Sequence, residues 1–85
     1  MKKTINEKVK VLAEFGRDIT EIMPSQFNWE NRQFNVQKAS KAIYKNGADV
    51  CYLFSGTDGE TSFELNFNPS DFSWILTKIW NTVLV

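Results

Sequence analysis

The chain has no histidine and one cysteine, Cys51, in 85 residues. The commonest general acid–base group and metal ligand is therefore missing. A zinc site needs several Cys or His side chains, and a cysteine nucleophile is ordinarily activated by a histidine. Cys51 stands inside an apolar alternation and reads as a small buried side chain. Gly16, Gly47, Gly56 and Gly59 are isolated, so no phosphate-cradling loop is spelled out. Asp49, Asp58, Glu60 and Glu64 are dense, yet Thr57-Asp58-Gly59-Glu60 is too short for a calcium loop and lacks its ligand spacing. These carboxylates read as solvated turn charges. The expectation is a protein that is not an enzyme and uses no cofactor and no metal.

What remains are residues suited to recognition. Lys38, Lys41 and Lys45 lie close in sequence to Tyr44, with Tyr52 further on. On a sheet face such a set can stack bases and hold phosphates; on a sheet edge, lysines block strand-to-strand aggregation. Trp29 and Arg32 belong to types enriched at binding hot spots, and across a hairpin they also form a structural stack. The candidate interaction surface is therefore Trp29, Arg32, Lys38, Lys41, Tyr44 and Lys45. Ten Lys and Arg balance ten Asp and Glu, whereas a dedicated nucleic-acid binder carries a basic excess. The leading reading is a non-catalytic protein-interaction or accessory module with an unknown protein partner. The alternative is a nucleic-acid-binding accessory domain using the aromatic and lysine face. The apolar ending Trp80-Asn81-Thr82-Val83-Leu84-Val85 makes Trp80, Val83 and Val85 candidates for a homodimer contact.

A lone cysteine fits a reducing compartment. The basic start Met1-Lys2-Lys3 runs into Asn6-Glu7-Lys8 before any apolar stretch forms, which does not suit a signal peptide. No run has the length of a membrane helix. The expected location is the cytoplasm.

These residues must be carried by short elements. A length of 85 residues suits one domain, 1–85. Turn signals recur at Gly16-Arg17-Asp18, Pro24-Ser25, Glu30-Asn31, Asn46-Gly47, Asp58-Gly59 and Asn68-Pro69-Ser70, which favours a meander of short strands. Val9, Val11, Ala13 and Phe15 alternate with Lys8, Lys10 and Glu14 as in a half-buried strand. A hairpin about Glu30-Asn31 pairs Phe27 with Phe34 and Trp29 with Arg32, allowing the guanidinium to lie over the indole. A second hairpin over 50–56 and 61–67, closed by a type I′ turn at Asp58-Gly59, pairs Phe54 with Phe63, Tyr52 with Leu65 and Val50 with Phe67. Two segments stay open. Residues 36–45 fit either a helical face or a strand with a bulge. In 72–83, Phe72, Ile75, Leu76, Ile79, Trp80 and Val83 match a helix period, while residue choice favours a strand.

The stretch Phe27-Asn28-Trp29-Glu30-Asn31-Arg32-Gln33-Phe34-Asn35-Val36 resembles a family of small uncharacterised bacterial β domains with an F-x-W-x-x-R-x-[YF]-x-V core. Phe63-Glu64-Leu65-Asn66-Phe67 and Trp74-Ile75-Leu76 are similar to its later strands. The resemblance implies a last strand at 72–80 and no particular activity. The expected fold is mainly β, a small bent antiparallel sheet closing into an SH3-like or roll-type barrel of about six strands. The alternative is α+β with a C-terminal helix on the sheet.

Overall fold

The structure, a computed structural model, describes residues 3–81. It is mainly β, with eight strands: β1 (Lys3–Lys8), β2 (Lys10–Glu14), β3 (Met23–Trp29), β4 (Arg32–Asn35), β5 (Lys38–Asn46), β6 (Asp49–Thr57), β7 (Thr61–Asn68) and β8 (Ser73–Asn81). A short 3₁₀ turn, η1 (Ile19–Glu21), joins β2 to β3. All pairings are antiparallel. They form one five-stranded sheet, β1-β8-β7-β6-β5, and one three-stranded sheet, β2-β3-β4.

The expected six-strand barrel is corrected to two sheets that do not close. Segments 3–14 and 32–46 each leave one sheet for the other, breaking at Val9 and at Val36-Gln37. Backbone bonds hold both bends: Val9 N donates to Trp74 O at 3.1 Å, Val36 N to Ser25 O at 2.9 Å and Gln37 N to Thr57 O at 2.9 Å. No strand is expected from the sequence at residues 3–8, which form β1. Residues 36–45 accordingly open on the break at Val36-Gln37 and run as strand from Lys38, without a helix.

The hairpin of β3 and β4 has the expected register, Phe27 opposite Phe34 and Trp29 opposite Arg32. Glu30 and Asn31 take φ of 51° and 61°, the doubly left-handed turn that a two-residue hairpin favours. The hairpin of β6 and β7 differs from expectation by two residues: Phe54 faces Leu65, Tyr52 faces Phe67, and Gly56 faces Phe63. Both faces keep their occupants, because a slip of two preserves the pleat, but Val50 is left 41% exposed. Two local causes are visible. The turn centres on Gly59-Glu60: Gly59 alone is left-handed, at φ 102°. Asp58 Oδ1 accepts from Glu60 N at 2.9 Å and Thr61 N at 2.7 Å, a side-chain substitute for a backbone turn bond. Gly56 also leaves room for Phe63, since a Cβ there would stand 3.0 Å from the Phe63 ring and 2.8 Å from Lys38 O.

Residues 72–80 turn and then enter β8, so the C-terminal helix is excluded. Its helix-like spacing has a β cause. The pairing passes from Leu65–Leu76 to Glu64–Lys78, making Thr77 an extra residue. The pleat changes phase there, so Trp74, Leu76 and Ile79 are all buried. Thr77 Oγ1 donates to Glu64 O at 3.1 Å and lies 2.9 Å from Glu64 Oε1. On the other side β1 compensates with its own irregularity, from Thr4–Lys78 to Glu7–Leu76, and Asn6 takes φ 56°.

The core lies between the sheets. Phe27 stacks on Phe34 at 4.9 Å and meets Phe63 of the larger sheet edge-on at 4.8 Å. Phe54 and Phe67 flank Trp74 at 5.5 and 4.6 Å. Ile22, Leu65 and Leu76 complete it, fully buried.

Candidate functional site

The six residues singled out from the sequence do not gather on one surface. Trp29 and Arg32 face each other at the end of the β3–β4 hairpin. The guanidinium lies over Phe34, 4.5 Å from the ring centroid, a correction to the expected placement over the indole. With Thr61, Ile79 and Trp80 they line a cleft of about 370 Å³. Trp29 Nε1 is buried there and has no hydrogen-bond partner among the described residues.

The other four residues are split by the pleat of β5, which pairs with β6 without a break in register. Lys38 and Tyr44 fall on one face, Lys41 and Lys45 on the other. Lys38 borders a second cleft together with Trp80 and Gly56. Lys41 Nζ donates to the Thr20 carbonyl and sits 5.6 Å from the Tyr52 ring centroid, so it fastens η1 to the larger sheet. In η1 the Thr20 amide and hydroxyl both donate to Asp18 Oδ1, which holds that carboxyl below its usual range. Tyr44 stands opposite Cys51. Desolvation pushes its phenol above the ordinary value, and the nearby Cys51 adds to the rise. Of the proposed dimer contacts, Trp80 borders both clefts. Val83 and Val85 lie outside the described residues.

A different region carries the features of a binding site. Among the described residues β2 is an edge strand, with β3 as its single neighbour. Beside it run two confluent clefts. Val11, Ala13, Phe15, Phe67, Phe72 and Trp74 belong to one, of about 420 Å³. Lys8, Lys10, Asp71 and Ser73 extend the other. Leu12, Phe15 and Phe72 are 60%, 54% and 63% exposed.

Phe72 is the unusual residue. It ends the 69–72 turn with φ 57°. Left-handed backbone is uncommon for any residue with a side chain and an outlier for a bulky one. Holding it costs about 1–3 kcal/mol, and such strain concentrates at functional positions. Downstream, Asp71 Oδ1 accepts from Ser73 N at 3.0 Å and Ser70 N donates to Asn68 Oδ1 at 2.9 Å, so side chains on both sides brace the turn. The Phe72 ring touches the core through Phe67, at 5.9 Å between centroids, and is otherwise largely in solvent.

None of Leu12, Phe15 or Phe72 is among the residues chosen from sequence. The turn signal at 68–70 was present, but the side chain just beyond it reads from sequence as the first residue of a buried face. Among the described residues no group of three His, Cys, Asp or Glu converges as a metal site, and no helix is long and apolar enough to cross a membrane. No protein-family model, curated protein or solved structure matches the chain.

Proposed function

We propose that this chain is a non-catalytic protein-interaction module whose docking site is the β2 edge with the cleft bounded by Phe72. The observation that carries this reading is Phe72 itself, an aromatic ring kept in solvent on strained backbone beside the free edge of β2. Its contact with Phe67 leaves most of the ring in solvent, and glycine at that position would remove the strain. An extended segment laid along β2 gains main-chain hydrogen bonds from the edge and places alternate side chains in the cleft. The one cysteine is buried, in keeping with work in a reducing compartment.

A displayed library of random peptides, selected on the immobilised protein, tests the reading. The recovered peptides are expected to be apolar at alternate positions. They should lose binding to Phe72→Gly and to Leu12→Asp while keeping it on Arg32→Ala and Lys38→Ala. Peptides that hold on to the first pair and lose the second would move the site to the clefts at Trp80 and overturn the proposal.

A further inference from the structure

The polarity of the β2 edge can be worked out from the hydrogen bonds. Val36 N donates to Ser25 O, so odd-numbered residues of β3 from Ser25 onward direct their backbone groups to β4, and even-numbered ones direct theirs to β2. Gln26 and Asn28 pair with Leu12 and Lys10, so Lys10 and Leu12 spend their amides and carbonyls on β3. Val9 N points away from β3, to Trp74 O. The β2–β3 register shifts between Leu12 and Ala13 with Ser25 as the extra residue on β3, so β2 itself keeps its alternation. Val11 and Ala13 follow the phase of Val9, and their N–H and C=O groups face outward along the free edge.

The side chains of this strand read Lys10-Val11-Leu12-Ala13-Glu14. An antiparallel copy of the strand, related by a two-fold axis at Leu12, sets Lys10 of each copy against Glu14 of the other. It also sets Leu12 against Leu12 and Val11 against Ala13. Val11 and Ala13 are the residues whose backbone groups are available, so those pairs close into hydrogen-bonded rings. Lys10–Glu14 and Leu12–Leu12 fall at the close, non-hydrogen-bonded positions where side chains meet. Two-fold axes at Val11 or Ala13 satisfy the backbone but leave Lys10 or Glu14 facing Leu12. The bend at Val9, where the chain leaves for the larger sheet, limits pairing to the five residues of β2. Only the Leu12 axis uses all five.

From this self-complementarity of charge and hydrogen bonding we infer that the partner at this edge is a second copy of the chain, joined β2 to β2 about Leu12. The inference rests on the docking site proposed above and names its occupant. The two smaller sheets then run into one ribbon, β4-β3-β2 from one copy and β2-β3-β4 from the other. Exposed Leu12 side chains cover each other. Val11 and Ala13 of the incoming strand fall on the half-buried face, beside the cleft that Phe72 and Trp74 line. The contact is isologous, so it closes at two copies and does not propagate.

Charge exchange tests the register directly. Sedimentation of the full chain over a concentration series should show a monomer–dimer equilibrium. Lys10→Glu and Glu14→Lys, each alone, place like charges at both symmetric positions and should raise the Kd about tenfold or more. Mixing the two single variants restores opposite charges at every pair and should return dimer, as should the double variant K10E/E14K by itself. Leu12→Cys should cross-link under mild oxidation, since a non-hydrogen-bonded pair brings Cα atoms to disulfide distance. Circular dichroism of each variant guards against loss of fold, and the double variant keeps the test sound if one single variant unfolds. A wild-type chain that stays monomeric at high micromolar concentration would overturn the inference. So would a dimer indifferent to both charge reversals. If the monomer still captures displayed peptides through Phe72, the docking site stands and only its occupant is wrong.

Discussion

Two groups of phenylalanines in this small domain meet opposite fates. Phe27, Phe34 and Phe63 bridge the sheets, each 2% exposed or less. Phe15 and Phe72 are the same side chain left more than half exposed, where β2 and the start of β8 stand apart. The difference lies in what faces them. Phe63 has Gly56 across the ladder and Phe27 from the other sheet, so the ring is enclosed by backbone on one side and aromatic surface on the other. Phe72 has Phe67 on one side and an open cleft on the other. Burial in this fold is decided by whether both sheets reach a residue, and residue type does not decide it.

The largest expected effect is on the bridged side. Phe63→Ala removes the ring that joins the sheets and should cost about 3–5 kcal/mol in denaturant unfolding. That is much of the whole stability of a domain this size. A loss below about 1 kcal/mol would mean that the sheets do not depend on that bridge.

Gly56→Ala should cost about 1–3 kcal/mol by crowding, because the new methyl meets the rigid carbonyl of Lys38 at 2.8 Å as well as the Phe63 ring. Thermal unfolding of this variant checks whether the glycine opposite Phe63 is required. An unchanged midpoint would separate the register of β6 and β7 from that contact.

On the open side the sign of the glycine effect reverses. Phe72→Gly and Phe72→Ala both lose the ring, but only the first relieves the left-handed backbone. Phe72→Gly should therefore be the more stable of the two by about 1 kcal/mol. Equal stabilities would remove the strain argument for this residue.

The smallest effect is expected at the other hairpin. Glu30 is also left-handed, at φ 51°, but its strain belongs to a turn. Glu30→Gly should raise stability by about 0.5 kcal/mol and leave peptide capture and dimerisation unchanged. Loss of either function would extend the docking site to the β3–β4 turn.

The β3–β4 hairpin was legible because its evidence is local: two turn residues tolerate the left-handed region poorly or well, and aromatic residues fall opposite each other on one face. The register of β6 and β7 was not, although its turn residues were seen. Asp58-Gly59 predicts a turn centred on those two, and the choice of Gly59-Glu60 depends on the Asp58 carboxylate capping two amides. It depends too on Phe63 needing a glycine opposite it to reach Phe27. β8 looked half helical because a bulge at Thr77 shifts the pleat, and a shift of phase inside one strand has no signature separate from a change of period. The candidate surface failed for a related reason. Lys38, Lys41, Tyr44 and Lys45 are neighbours in sequence, and a strand sends such neighbours to opposite faces.

Local chemistry in the sequence thus determined the predominance of β structure, the positions of most turns and the absence of histidine-based chemistry, since composition and two-residue turns need no distant partner. It also wrote the charge order Lys10-Val11-Leu12-Ala13-Glu14. Only the tertiary structure decided that this strand is an edge, that Val11 and Ala13 turn their backbone outward, and that Phe72 stands beside it in solvent. An edge is defined by the strand that is missing from one side, and the inward or outward phase of its hydrogen bonds is set by pairing with β3 and by the bend at Val9. Both are relations between segments distant in sequence, and the residues of β2 taken alone do not contain them.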